Sequence, residues 1–439
     1  MFKETSKELL NFLSKSPTAF HAVENYRQIL NADGFKELLE SEHWDIVSGG
    51  KYYVTRNNTS ILAFKVGTKL DNYSFNIVTS HTDSPTFKVK ENAEIEVKNK
   101  YTQLNTEGYG GMLCATWLDR PLSIAGRVLV SEGNSIVTKL LNIDRDLLMI
   151  PNVAIHMNRA ANDGFKYNLQ VDMLPLLSGG DDRQKDFKQI IADELGVKKE
   201  DILGHDLYLY NRMAPSIWGA NEEFISAGHL DDLQCGFASL KALLAGYNDE
   251  SIDIMACFDN EEVGSGTKQG ADSTLLRDTL IRINNALGKT EEDYHRALAS
   301  SFMLSADNAH AVHPNHPEHT DVTNCTYMNE GVVVKSHAGQ KYTSDGVSMA
   351  VVKSLASGAD VPLQYFANRS DKAGGSTLGN IAMAQASMNA VDIGLPQLAM
   401  HSSYETAGIK DTYYAIALMK ALFDSHIQET STHSLEIKR

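Results

Sequence analysis

Four apolar, strand-like runs in this chain end on residues that bind metals or move protons. The run closing at Ser80 leads into His81-Thr82-Asp83, and IDIMACF leads into Asp259-Asn260-Glu261-Glu262. FMLSA leads into Asp307, and VDIG leads, after a short loop, into Met400-His401-Ser402. In open α/β sheets, functional groups gather at the carboxyl ends of strands. Histidines and carboxylates make a nitrogen–oxygen donor set suited to zinc or a similar divalent ion. A lone histidine after a strand is most often a hydrogen-bonded loop residue, and an acidic pair is most often a solvated turn. Glu261-Glu262 stands apart because it closely follows a nearly apolar run. Two adjacent carboxylates at a buried strand end repel each other and lose hydration unless a cation compensates. The same chemistry at four strand ends makes coincidence a poor account, and little there supports a serine or cysteine nucleophile.

Two other features imitate sites. Gly264-Ser265-Gly266-Thr267-Lys268-Gln269-Gly270 follows a strand, but its spacing fits no phosphate-binding fingerprint, and the acidic residues just before it would repel phosphate. His310, His313, His316 and His319 are interrupted by Pro314 and Pro317, which break any helix that would align them. They read as a loop, with His310 and His313 nearest the strand end and His316 and His319 on the surface.

The elements that must position these groups fall into two textures. Residues 1 to about 90 give helices and then strands over Ser60–Val66 and Tyr73–Ser80. Thr5 and Glu8 fit a capping box for the first helix, whose apolar face is Leu9, Leu10, Phe12 and Leu13. A β-rich stretch follows, with a hairpin over Ser123–Ile143 turning at Glu132-Gly133-Asn134, a helix over Asp181–Gly196 and a strand over His205–Tyr210. From His229 the βα texture returns, with Leu233, Phe237, Leu240 and Leu244 at helical spacing. The tail beyond Gln428 is polar and expected to fray. The reading is an α/β domain in two pieces, 1–92 and 229–439, with a β-rich domain, 93–228, inserted between them.

Composition narrows the function. The chain has 439 residues, 42% hydrophobic and 22% charged, ample for a large core. Its net charge of −16 argues against nucleic acid and anionic membranes as partners. No apolar run approaches membrane-spanning length, and the first 20 residues lack the apolar core of a signal peptide. Four dispersed cysteines suggest neither a disulfide framework nor a thiolate zinc site, so a reduced, cytoplasmic protein is expected.

The ordered motifs SHTDSP (80–85), HLDDL (229–233), DNEEVGS (259–265), SADNAHAVHPN (305–315) and QLAMHS (397–402) resemble those of the aspartyl aminopeptidase family of dinuclear zinc metallopeptidases. The likeness extends to SPTAFHAV (16–23), YYVTRN (52–57) and PNVAIHMNRAAN (151–162). By that resemblance the fold is a mixed-sheet α/β/α catalytic domain with an inserted β-rich dimerisation domain. His81 and Asp307 are then ligands of one ion, Glu262 and His401 of a second, and Asp231 bridges both. The two ions are expected to be zinc, with cobalt or manganese as substitutes. Glu261 resembles the general base, Asp83 holds the His81 ring, and the Asp231–Asp232 peptide is expected to be cis. The resemblance implies removal of N-terminal Asp or Glu from peptides, with Lys335, His310 and Tyr342 as candidate substrate contacts. It also implies dimers that assemble into a tetrahedral dodecamer, in which His156 reaches a neighbouring subunit's site. The sequence departs from the family at Asp232, at Gly374–Asn380 and at Ser403-Tyr404, near the expected substrate pocket. Two alternatives stay open. One is a deacylase or carboxypeptidase on the same frame, with Arg120, Arg159 or Arg369 binding a free carboxylate. The other is a non-catalytic scaffold of the fold.

Overall fold

The computed structural model describes residues 1–432 and 434–439. Continuous apolar runs become central strands covered on both faces, because neither face tolerates water. Ser74–His81, Ser251–Phe258 and Phe302–Ala306 are buried at every position. With Asn389–Gly394 they form four adjacent parallel strands. Lys36–Leu38, Lys51–Arg56 and Ser60–Val66 extend the sheet on one side, and Val332–Lys335 and Leu363–Phe366 on the other, giving nine strands. Ser60–Val66 and Val332–Lys335 run antiparallel to their inner neighbours, so the sheet is mixed.

Helices Phe2–Ser14, Ala19–Ala32, Leu230–Ala245 and Asp411–Phe423 cover one face through Leu9, Tyr26, Phe237 and Leu418. Leu275–Ala286, Glu291–Ala299 and Gly379–Gln385 cover the other through Leu280, Tyr294 and Ala382. The layers are therefore α/β/α. Register decides where the chemistry lands. Phe258 lies opposite His81, and Ser305 lies opposite Thr79. The residues after each strand consequently reach one edge of the sheet together.

Between residues 86 and 211 the burial pattern alternates and the strands become antiparallel. Their order is Ser135–Asn142, Leu122–Glu132, Ile202–Asn211, Thr86–Val97, Tyr101–Tyr109 and Leu176–Gly179. Thr86–Val97 crosses the boundary expected at 92/93, and Phe224–Ala227 pairs with Glu405–Gly408 across the one expected at 228/229. Gly133 makes the expected hairpin turn at φ +64°, a left-handed conformation that costs glycine nothing. Phe87, Trp117, Leu122, Phe187 and Leu207 share a separate core. Ser216–Trp218 and Phe224–Ala227 join a third, small sheet with Glu405–Gly408, Pro396–Leu398 and Ala309–His310.

Three local expectations change. The helix read over Asp181–Gly196 starts at Phe187, because Asp186 accepts from Gln189 N and caps it there. The Thr5–Glu8 capping box does not form. The first helix begins at Phe2, and the Thr5 hydroxyl donates back to the Met1 carbonyl from inside it. The tail beyond Gln428 is an antiparallel hairpin, His426–Ser431 with Ser434–Lys438. It is held because Ile427 is buried and Leu435 and Ile437 pack on the same core, an alternation hidden among polar residues. Among the described residues the four cysteines are free, and no helix is long and apolar enough to cross a membrane.

Candidate metal centre

The four strand ends meet as the sequence suggests. His81 closes its strand, Asp307 follows the next one, and Glu261–Val263 forms a tight turn just beyond Phe258. His401 lies in the turn between Pro396–Leu398 and Glu405–Gly408, at φ +67°. Asp231 enters from the start of Leu230–Ala245, and the Asp231–Asp232 peptide is cis. The Asp231 carboxylate sits between the two histidines. Its Oδ1 is 3.5 Å from His81 Nε2, and its Oδ2 is 3.5 Å from His401 Nε2. Glu262 Oε2 is 3.4 Å from His401 Nε2. Donor atoms of His81, Asp231 and Asp307 lie within 4.8 Å of one another, and so do those of Asp231, Glu262 and His401. These are two clusters sharing one carboxylate. Glu261 joins His81 and Glu262 in a further group of the same size.

A divalent ion fits what these residues lack. Asp231 Oδ1 and Glu262 Oε1 are buried without a hydrogen-bond partner, an arrangement that costs about 1–3 kcal/mol or more for a charged oxygen. Protonation tells the same story. Burial, with Asp307 and Asp83 adding to it against the pull of His81, pushes Glu261 up to about 7. Burial and then Asp231 drive Glu262 well above the carboxylate range. Burial lifts Asp307 to about 6 against Lys335. Burial opposes charge on His401, yet Asp231 and Glu262 raise it to about 10. His81 is likewise raised, despite burial, by Asp231 and Asp83. Asp231 goes the other way, because its contacts with His401 and His81 outweigh burial. The side chains are borrowing protons to offset crowded negative charge, a task a cation performs directly.

The supporting partners are partly new. Asp83 was expected to hold the His81 ring through its carboxylate. The ring Nδ1 instead meets the Asp83 carbonyl at 3.1 Å, and the nearest carboxylate oxygen is at 3.5 Å. That carboxylate is engaged elsewhere. It accepts from Glu261 N and Glu262 N, each at 3.1 Å, and from the Tyr109 hydroxyl at 2.7 Å. Burial and the carboxylates of Asp83 and Asp259 push the Tyr109 phenol far upward, so it remains a donor. Asp232, a departure from the family pattern, accepts from His81 N at 3.1 Å. Glu405 escaped notice in the sequence. It is 2% exposed and accepts from Asp231 N at 3.0 Å and His401 N at 2.8 Å, so one side chain aligns two donors. A carboxylate in a stretch that packs as a strand, four residues past His401, was the available signal.

A cavity of about 180 Å³ opens on the centre and is lined by His310, Lys335, Tyr342, Phe366 and Gly375–Thr377. Lys335 is 4% exposed and donates to the Asn308 carbonyl at 2.8 Å. Its Nζ lies 3.8 Å from Asp307 and 5.8 Å from the Tyr342 ring centre. The three candidates Lys335, His310 and Tyr342 are thus brought together. His156 is not: it lies in an exposed turn of the inserted region and does not line this cavity. Tyr404 donates to the Ala214 carbonyl, away from the cavity. Arg369 pairs with Asp371, and neither Arg120 nor Arg159 lines the cavity. His316 and His319 cluster with Glu318 on the exposed surface. In the glycine-rich loop, Thr267 and Gln269 fold back onto Asn260 and so buttress the Glu261 turn.

Known proteins resemble this chain in both sequence and fold. Residues 12–423 match the family model described as aminopeptidase I zinc metalloprotease (M18). A relative from Clostridium novyi, named a probable M18 family aminopeptidase 2, is 47% identical over 95% of this chain and 98% of its own. Among solved structures, Ape4 in a complex with Nbr1 superposes with a TM-score of 0.93 at 34% identity, covering 96% of this chain and 86% of that one. The mApe1 dodecamer of S. cerevisiae superposes at 0.84 with 28% identity, covering 96% and 97%.

Proposed function

The chain belongs to the aminopeptidase I zinc metalloprotease (M18) family and is a zinc-dependent aminopeptidase; within that activity, we propose a centre that would hold two divalent ions, with Asp231 belonging to both donor groups. His81 and Asp307 would hold one ion, and Glu262 and His401 the other. The observation that carries this reading is the pair of donor clusters sharing the Asp231 carboxylate, with unbonded oxygens on Asp231 and Glu262. Zinc is the expected metal, and cobalt or manganese suits the same nitrogen–oxygen set. When bound, such ions supply a Lewis acid and lower the pKa of water to about 7.

The residues divide the remaining work. Glu262 stands within the donor cluster, while Glu261 is placed beside it without being needed to complete either metal position. Glu261 takes the proton of the attacking water and passes it to the leaving nitrogen. Asp83 fixes the backbone of both glutamates, so the base and the ligand keep their spacing.

The substrate is a peptide with an N-terminal Asp or Glu. A net charge of −16 disfavours acidic ligands at long range, but a nearly enclosed ammonium dominates locally. Lys335 is that cation, and His310 and Tyr342 flank it in the same cavity. The carboxypeptidase reading needs a free guanidinium at the site, and among the described residues no arginine lines the cavity. The chain forms homo-oligomers, as the mApe1 dodecamer does. In this proposal the inserted domain, 93–228, pairs two subunits, such pairs build a tetrahedral dodecamer, and His156 enters a neighbour's site. The protein works in the cytoplasm.

The test is metal counting joined to a panel of fluorogenic aminoacyl substrates. Two ions per chain, loss of turnover on chelation and a preference for Asp and Glu are expected. Lys335→Met should reduce kcat/KM for acidic substrates by a factor equivalent to about 2–5 kcal/mol, and for leucyl or alanyl substrates far less. One ion per chain overturns the bridged centre. A wild-type preference for neutral residues overturns the acidic reading.

A further inference from the structure

The inserted sheet does more than carry an assembly surface. Its strand Tyr101–Tyr109 runs directly into a segment, 109–116, that touches the metal centre at several points. The Tyr109 hydroxyl donates to Asp83 Oδ2 at 2.7 Å and accepts from Asn260 Nδ2 at 2.7 Å. The same Asp83 oxygen accepts from Glu262 N. Gly110, at φ +75°, passes so near that a Cβ there would lie 3.1 Å from the Glu262 Cβ. The Gly111 carbonyl accepts from His401 Nδ1 at 2.9 Å, which leaves Nε2 as the free donor atom of that ring. Leu113 N donates to the His401 carbonyl at 2.9 Å, and Thr116 is bonded twice to Ser403.

Most of these contacts reach Glu262 and His401; the Tyr109 bond does so through Asp83, which also accepts from Glu261 N and meets the His81 ring. The other pair is held differently. His81 N is bonded to Asp232, its ring to the Asp83 carbonyl, and Asp307 N to the Ile393 carbonyl. None of those partners belongs to the inserted sheet. We propose that the inserted sheet sets the affinity of the Glu262–His401 metal position, with Tyr109 as the positioning residue that transmits it. This rests on the two-ion reading above.

The physical basis is local. A cavity of about 360 Å³ is lined by Asp83, Tyr109, Asp259 and Asn260 and shares no lining residue with the cavity on the metal centre. Without the phenol oxygen, Asp83 Oδ2 keeps only the Glu262 N–H and gains access to water in that cavity. The carboxylate can then turn away, and the Glu262 backbone loses its anchor. Changes of this outer-layer kind typically weaken metal binding by about 10- to 100-fold.

The experiment is titration of metal-free protein with Co²⁺ in the presence of a competing chelator, read by visible absorption. Wild type should take up two equivalents. Tyr109→Phe keeps the ring against Tyr208 and should bind the first equivalent as wild type does, but the second at least about tenfold more weakly. Its kcat at low metal should fall with KM little changed, and excess metal should restore it, a rescue that a general loss of structure would not give. If Tyr109→Phe does not fold, Asn260→Gly removes the phenol's other partner, suits the φ of +61° there and carries the same expectation. Two equivalents in wild type with an unchanged second affinity in the variant overturn this inference alone, as does equal weakening of both. A wild type that binds one ion overturns the two-ion reading and this inference with it.

Discussion

His81 and Asp307 stand at the ends of neighbouring parallel strands, whereas Glu262 and His401 sit in turns between elements. The His401 side chain is 31% exposed, against 1% for His81, 11% for Asp307 and 5% for Glu262. One half of the centre is thus fixed by sheet register, and a strand cannot slip without moving its whole core face. The other half is fixed by hydrogen bonds from a separate sheet and from Glu405. Asp231 joins a rigid half to an adjustable one. Under the proposed two-ion reading, a centre made this way would hold one ion firmly while the other position stayed responsive to its surroundings.

The largest effect expected lies where the halves meet. Glu261→Gln is nearly isosteric but cannot accept a proton, so turnover should fall by about 100- to 10,000-fold. Metal content, measured by elemental analysis, should stay at the wild-type value in that variant. Near-normal turnover would remove Glu261 from its assigned role.

The next effect separates the two halves. His81→Ala empties a fully packed position and should lower the stability of the metal-free protein by roughly 2 kcal/mol or more. His401→Ala removes a partly exposed side chain and should destabilise the metal-free protein less than His81→Ala does, while abolishing uptake of the second ion. Denaturant unfolding with metal titration checks both. Equal destabilisation by the two substitutions would erase the distinction drawn here.

A smaller, pH-dependent effect follows from the raised carboxyls. Glu261 near 7 and Asp307 near 6 hold protons in the folded protein that the unfolded chain releases nearer 4. The native state therefore binds more protons in this window, and that stabilisation, complete near pH 4, is lost as pH rises through about 7. The raised His401 acts in the same direction from about 6.5 upward, and Asp231, shifted downward, acts only below about 4. Metal binding needs the deprotonated ligands. The gain in Tm on adding zinc should accordingly be larger at pH 8 than at pH 5.5. Asp253, near 8, and Asp411, near 7, are buried elsewhere and affect both forms alike, so the difference isolates the centre. An equal gain at both pH values would argue against proton release from these groups.

The rigid half was the more legible in sequence, and the reason is physical. A buried parallel strand must be apolar, so a polar residue directly after it announces itself, as His81 and Asp307 do. His401 needed the longer loop after VDIG, and Asp231 emerged only through the family resemblance, because a helix start is a common place for Asp. Glu405 and Tyr109 were not legible. Their roles depend on contacts across long stretches of chain, and nothing adjacent in sequence marks them. The C-terminal hairpin was missed for a related reason. Leu435 and Ile437 alternate with polar residues too briefly to stand out, and only the core they meet gives them a purpose.

The path of segment 109–116 bears on how such a molecule can change over generations. A shortened chain rejoining residue 85 to residue 212 would preserve the nine strands of the catalytic sheet, yet the His401 ring would lose the carbonyl that fixes its tautomer, and Asp83 would lose a donor. The insertion is therefore not a detachable module. Exchanging it between relatives would disturb the metal centre unless the few residues around Gly111 travelled with their partners.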